Sequence, residues 1–380
     1  MNAKALSAGA LRMALASCFL LTSCRATLSP SAPTATPSLP AGSPEGLATI
    51  QPEVRQTPSQ PTAGGTDVLP ETPAGPSTGA LQVREYPLPA GSRPHDVAPA
   101  PDGKVWYTAQ GAGELGLLDP ATGAVERIPL GQGSAPHGVI VGPDGAPWVT
   151  DGGLNAILRV EPATRAVQTF PLPSESGSAN LNTAAFDRDG VLWFTGQNGV
   201  YGRLDPKGGP VEVFPAPRGR GPYGIAATPQ GEVYFASLAG SYLGHIDRQS
   251  GAAQELEPPT SGQGARRVWS DSQGRLWVSE WNAGQLARYD PASGEWREWR
   301  LPGDHPQPYA VYVDESDQVW LSDFGANALL RFDPASEAFT VIPLPSNPAN
   351  VRQLLGRTGE VWGAESGVDQ LVVVFTQVES

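Results

Sequence analysis

The chain has 380 residues, 45 of them glycine and 40 proline, and a formal net charge of −13 at pH 7. That excess of acid, with no run of Lys or Arg, sets the protein against phosphate backbones and anionic membrane surfaces and excludes nucleic-acid binding. Few charges with many Gly and Pro suit short strands joined by tight turns.

At the N-terminus, Lys4 and Arg12 precede an apolar run from Met13 to Leu21, which closes in Leu21-Thr22-Ser23-Cys24. A basic flank, a short apolar stretch and small residues describe an export signal over residues 1–23, too short for a mature transmembrane helix. Leu-Thr-Ser-Cys resembles the bacterial lipobox, which implies cleavage before Cys24 and lipidation of its sulfur. The expected location is extracytoplasmic, on the bacterial cell envelope, with the lipid anchor as the one membrane contact. Only Cys18 and Cys24 exist, so no disulfide can staple the mature fold. Residues 24–80 are rich in Pro, Ser and Thr and poor in large apolar side chains, a composition that cannot offset the entropy of ordering. They read as a disordered tether reaching on the order of 40 Å.

From residue 81 to 380 the chain repeats. A turn residue followed by an aromatic recurs as Gly103 and Trp106, Gly145 and Trp148, Gly190 and Trp193, Gly231 and Tyr234, Gly274 and Trp277, Asp317 and Trp320, Gly359 and Trp362. Successive aromatics are 42, 45, 41, 43, 43 and 42 residues apart. A period of about 40 to 45 residues with strand-like patterning predicts an all-β, seven-bladed β-propeller of four-stranded blades. The second repeat shows one blade: strands over residues 136–141, 147–150, 156–160 and 166–170, with Asp144-Gly145 supplying the positive φ of the first hairpin. The recurrent aromatic fits packing between blades rather than a ligand ladder. Because an open ring leaves two unpaired sheet edges, the surplus strand at residues 82–88 is expected to complete the last blade, whose own third strand spans 371–375.

The first two strands of a blade are antiparallel, so the start of one and the end of the next emerge at the same mouth of the axle. Strand starts contribute His95, His137, Asn182, Tyr223, Arg266, Tyr309 and Val351, and strand ends contribute Ala109, Asp151, Gly196, Ser237, Glu280, Asp323 and Glu365. His95 and His137 are candidate acid–base groups, and Asp151 a candidate ligand for a divalent metal. Tyr223, Arg266, Glu280, Tyr309, Asp323 and Glu365 are candidates for a ligand-binding funnel. Carboxylates crowded there would repel one another and favour a bound cation or a shared proton. The chain lacks a Cys-x-x-Cys pair, a Gly-rich phosphate loop and a Gly-x-Ser-x-Gly elbow.

Pro136-His137-Gly138-Val139, leading through Gly142-Pro143-Asp144-Gly145 to Trp148-Val149-Thr150-Asp151, with Leu192-Trp193-Phe194-Thr195 in the next repeat, resembles the virginiamycin B lyase family over residues 81–380. The resemblance implies a magnesium-assisted elimination that opens a cyclic depsipeptide at its ester, with a histidine moving the proton. In that family the chemistry sits on the last two blades, where this chain has Tyr309 and Ala349-Asn350-Val351, with Glu365 alone in place. The first two blades come closer, with Arg93-Pro94-His95 and Ala135-Pro136-His137, but Ala135 stands where a metal-binding glutamate belongs.

Two functions therefore stand open. One is a monomeric, lipid-anchored binding module whose polar funnel holds a small polar molecule or peptide, with no cofactor. The other is a carbon–oxygen lyase using His95, His137 and Mg placed by Asp151. A purely structural envelope protein, engaging partners through its sides, is a third.

Overall fold

The computed structural model describes residues 81–376. The export signal, Cys24 and residues 25–80 of the tether lie outside the described residues. Twenty-eight strands form seven four-stranded antiparallel sheets, each beginning with an inner strand. These inner strands are Pro94–Pro99, Pro136–Val141, Leu181–Phe186, Pro222–Ala227, Ala265–Ser270, Pro308–Val313 and Val351–Arg357. Each contacts the inner strand of the next blade, and the first contacts the seventh, so the propeller is a closed ring.

The turn and the aromatic are one device. Asp271 accepts the amides of Gln273 and Arg275 on one carboxylate oxygen and the Trp277 indole N–H, at 3.0 Å, on the other. Asp187 does the same for Trp193 at 2.9 Å, and Asp314 for Trp320 at 2.8 Å. Gly145 has φ 76°, as the tight hairpin requires, and Asp317, where other repeats carry Gly, sits at φ 57°. All seven aromatics are buried, each against the following blade. Trp148 packs on Leu181, Leu192 and Phe194, for example, and Trp362 closes the circle on Val97, Val105 and Tyr107 of the first. Each such burial is worth roughly 1.5–3 kcal/mol.

A second device lies nearer the axle. Every inner strand starts with a register shift that leaves one amide without a strand partner. In blade two that amide, of Gly138, donates to Thr150 Oγ1 at 2.9 Å, and the Thr150 hydroxyl donates onward to the Asn182 carbonyl of blade three. Gly138 is needed there, since a Cβ would lie 2.6 Å from that carbonyl. Thr108, Thr195, Ser279 and Ser322 repeat the clamp in blades one, three, five and six. Blades four and seven carry Ala236 and Ala364 instead.

Blade seven supplies three strands of its own, and Gln82–Pro87 adds the fourth, pairing with Gln370–Phe375 from Gln82↔Phe375 to Pro87↔Gln370. Tyr86 and Leu88 of this closing segment are buried beside Trp362 and Leu371.

Deleting residues 81–88 is expected to lower the melting temperature by about 5–10 °C, given roughly 3 kcal/mol or more of lost burial. An unchanged melting temperature refutes the closure. Thr150→Val is expected to cost about 1–3 kcal/mol in denaturant unfolding, because it orphans one buried amide and one carbonyl.

Candidate functional site

Sheet register places His95, His137, Asn182, Tyr223, Arg266 and Tyr309 at equivalent positions, each directly after the inner-strand residue that pairs with the last residue of the second strand. The seventh member of this ring is Arg352 and not Val351, a correction to the sequence alignment. Val351 is the residue paired with the strand-end Glu365, so Arg352 after it takes the ring position, while Val351 is buried in the core cluster of blades six and seven. One step deeper lie Asp96, Gly138, Thr183, Gly224, Arg267, Ala310 and Gln353.

Arg267 crosses the axle. Its guanidinium reaches Asp96 of blade one at 2.9 Å and Thr183 Oγ1 of blade three at 2.5 Å. Both partners of the ion pair are buried. Burial pushes the Asp96 carboxyl up from its ordinary value, with the Arg267 charge opposing it.

His95 and His137 meet above this pair, their ring centroids 3.6 Å apart. His95 Nδ1 lies 2.8 Å from Asp96 Oδ1, so the carboxylate holds the proton on Nδ1. His137 Nε2 is 3.1 Å from Asn182 Nδ2. The Thr183 hydroxyl donates to Asn182 Oδ1 at 2.8 Å, which turns the Asn182 amide toward the imidazole and leaves the His137 proton on Nδ1, a buried atom with no hydrogen-bond partner. Burial drives both imidazoles well below their usual range. For His95 the guanidiniums of Arg267, Arg352 and Arg266 add to it; for His137 the neighbouring His95 does so first. Both rings are therefore neutral near pH 7.

Next round the axle, Tyr223 stands edge-on to His137 and to Tyr309, and the two phenol oxygens are hydrogen-bonded to each other. Arg266 lies over the Tyr309 ring with its guanidinium carbon 3.6 Å from the centroid, flanked by Tyr223 and Trp281. Arg352 approaches the same ring with its guanidinium carbon 5.7 Å from the centroid. Burial raises the Tyr223 hydroxyl; for Tyr309, burial is outweighed by Arg266, Arg267 and Arg352, which pull its hydroxyl below the ordinary value.

The funnel set thus divides. Tyr223, Arg266 and Tyr309 join the two histidines, whereas Glu280, Asp323 and Glu365 form no hydrogen bond or ion pair with them among the described residues. Asp323 Oδ1 accepts the amides of Gln307 and Gly325, stapling its own loop. Asp151 does likewise with Ala135, Gly153 and Leu154, while its other oxygen takes the Ser134 hydroxyl. Glu280 accepts from Gln285, and both oxygens of Glu365 are buried without a partner. The raised carboxyls are not a crowd of like charges: burial is the first cause in both, pushing Glu280 and Glu365 up to about 8, with nearby Glu85 adding to Glu365.

A divalent ion fits this axle poorly. His95, Asp96 and His137 offer ligand atoms within 4.8 Å of one another, but the Asp96 carboxylate is already shared between His95 and Arg267. One committed carboxylate and two imidazoles are not the oxygen-rich octahedron that magnesium demands, and three guanidiniums repel a cation. Asp151, the metal ligand expected from sequence, is spent in its loop.

Sequence reasoning missed Asp96, Thr183, Arg267 and Arg352. All four directly follow a selected rim residue, so a reading that took two residues per inner strand would have found them.

A family model described as the virginiamycin B lyase family matches residues 74–322. Among solved structures, selenomethionine-substituted virginiamycin B lyase from Staphylococcus aureus superposes with a TM-score of 0.72 at 20% identity, over 78% of this chain and 100% of that one. A streptogramin B lyase structure gives 0.71 at 23% identity, over 77% and 97%. A catalytically inactive variant of the S. aureus enzyme with quinupristin gives 0.72 at 21%, over 78% and 100%. At these identities the superpositions speak for the fold alone. No curated protein matches the sequence.

Glu280 and Glu365 hold their protons up to about 8 when folded, against an ordinary 4.5 in the unfolded chain. The folded state is the more protonated one across that window, so stability contributed by these groups is full at low pH and falls as pH rises from about 4.5 to about 8. Thermal unfolding is expected to show Glu280→Gln and Glu365→Gln gaining on the wild type between about pH 5 and about pH 9. Parallel pH profiles for wild type and variants refute the assignment.

Proposed function

The chain belongs to the virginiamycin B lyase family, and from that premise we propose that it is an exported, lipid-anchored propeller whose axle mouth binds a small polar molecule or peptide. The observation carrying this reading is the convergence of Tyr223, Arg266 and Tyr309 with His95 and His137 at one place, where His137 Nδ1 and Arg266 Nε are buried without partners. Buried donors left unpaired cost about 1–3 kcal/mol each, a cost that a ligand acceptor removes. The exported location rests on Leu21-Thr22-Ser23-Cys24, with Cys24 carrying the lipid and residues 25–80 spacing the ring from the membrane.

A second reading, a carbon–oxygen lyase opening a cyclic depsipeptide, is favoured by the imidazole pair. Asp96 fixes the proton of His95 on Nδ1, so the other ring nitrogen is free to take a proton from a substrate. No step is routed through magnesium, because the donors present do not suit it. The binding reading is preferred because the groups at the mouth are mostly hydrogen-bond donors and cations, suited to holding a polar ligand rather than to placing a metal.

Incubated with a type B streptogramin and magnesium, the purified chain is expected to return the compound unopened by chromatography and mass spectrometry. A screen of polar metabolites and short peptides is expected to yield ligands that raise the melting temperature of the wild type but not of Tyr223→Ala. A linearised streptogramin product that disappears in His95→Ala replaces binding with the lyase; a screen without a Tyr223-dependent ligand overturns the binding reading.

A further inference from the structure

We propose that the axle mouth is an oxyanion site, in which Arg266 and Arg352 receive the carboxylate or equivalent oxyanion of a ligand whose apolar part rests on Trp281 and Phe324. The inference rests on the binding reading above and names its ligand class.

Charge accounting leads to it. On the outer faces of the blades, many arginines are matched to carboxylates, as in Arg127 with Glu114, Arg165 with Glu126, Arg203 with Glu212 and Arg357 with Glu360. In the axle, three guanidiniums face one carboxylate, and Arg267 has taken it. Arg266 and Arg352, both half-buried, have no carboxylate partner among the described residues. Arg266 donates to the Tyr223 hydroxyl at 3.0 Å, and Arg352 to Ser366 Oγ at 2.7 Å and, weakly, to the Tyr309 hydroxyl at 3.4 Å. The imidazoles between them and Asp96 are neutral, so nothing cancels two positive charges in a chain whose net charge is −13. Keeping such charges out of water without a counter-ion is costly, and a planar guanidinium is the side chain best shaped to grip an oxyanion through two N–H groups.

The aromatic neighbours say what accompanies the anion. Trp281 and Phe324 directly follow the rim residues Glu280 and Asp323 and are half-buried beside Tyr309. Phe324 stacks on Tyr309 with centroids 4.8 Å apart, and Trp281 stands edge-on to both rings at 5.8 and 5.6 Å. Next to the two cations this is a half-exposed apolar wall, suited to a ring or alkyl group carried by the same ligand.

Benzoate, acetate, phenyl phosphate and inorganic phosphate separate the two features, with neutral benzamide as control. Each is titrated into the full chain by calorimetry at constant ionic strength. Ring-bearing anions are expected to bind more tightly than ringless ones, and benzamide not at all. Preference for benzoate identifies a carboxylate, and preference for phenyl phosphate a phosphoryl group. Arg266→Gln and Arg352→Gln are each expected to weaken binding about tenfold or more, with the Lys variants intermediate. Circular dichroism and melting verify that each variant is folded; should Arg352→Gln fail to fold, Arg266→Gln and Arg266→Lys carry the test. Benzamide binding as well as benzoate, or benzoate affinity unchanged in the folded Gln variants, overturns the proposal. If none of the four anions binds while a neutral ligand needs Tyr223, the oxyanion assignment falls and the binding reading stands. If nothing binds at all, both fall.

Discussion

The guanidinium of Arg267 laid across the axle onto Asp96 is the contact on which the site depends. Ring closure brings blade five opposite blade one, and the buried pair uses that proximity to join residues 171 positions apart in the chain. Its consequences run outward in two directions. Through Asp96 it fixes the proton of His95. Through the Thr183 hydroxyl and Asn182 it fixes the proton of His137. Breaking such a pair by removing one partner strands a charge in the interior, which typically costs about 3–5 kcal/mol. The same pair neutralises the one axle carboxylate and so leaves Arg266 and Arg352 without it.

That contact is possible because the blades are held in phase. The aromatic of each repeat packs on the next blade, and in five of the seven blades a hydroxyl near the end of the second strand binds its own bulge and the neighbouring carbonyl. Apolar burial supplies most of the energy, but it is non-directional. The hydroxyl bridges add direction: four end on the carbonyls of the mouth residues His137, Asn182, Tyr223 and Tyr309 and the fifth on Val351, next to Arg352, so the clamps between blades and the ring of mouth residues share the same backbone.

The architecture was readable because periodicity is a property of the chain itself: seven turn-and-aromatic pairs at nearly constant spacing admit few arrangements, and the surplus strand at residues 82–88 pairs where a ring needs it. The site was half readable. Alignment of strand starts found His95, His137, Tyr223, Arg266 and Tyr309, but it chose Val351 over Arg352, because the bulge shifts the register by an amount that single-residue patterns do not encode. It also credited Asp151, Asp323 and Glu280 with facing the axle. Those side chains turn back to their own loops or neighbouring strands, and an unpaired loop amide attracts a nearby carboxylate as strongly as a ligand would. The cross-axle pair was not legible at all, since nothing local relates Asp96 to Arg267.

Closure by the N-terminal strand fixes the order in which the molecule becomes complete. Residues 82–87 are the first strand of the ring to be made, yet their partner, residues 370–375, is its last, so nearly the whole ring must assemble before its clasp finds a mate. Until then the strand is an unmatched edge, open to pairing with other chains. Its sequence, Gln-Val-Arg-Glu-Tyr-Pro, places Arg84 and Glu85 at the centre and a proline at the end, features that discourage such encounters during synthesis. Arg352, on the last blade, arrives equally late. The ring of axle residues therefore does not exist on any nascent or truncated chain that stops short of the final blade.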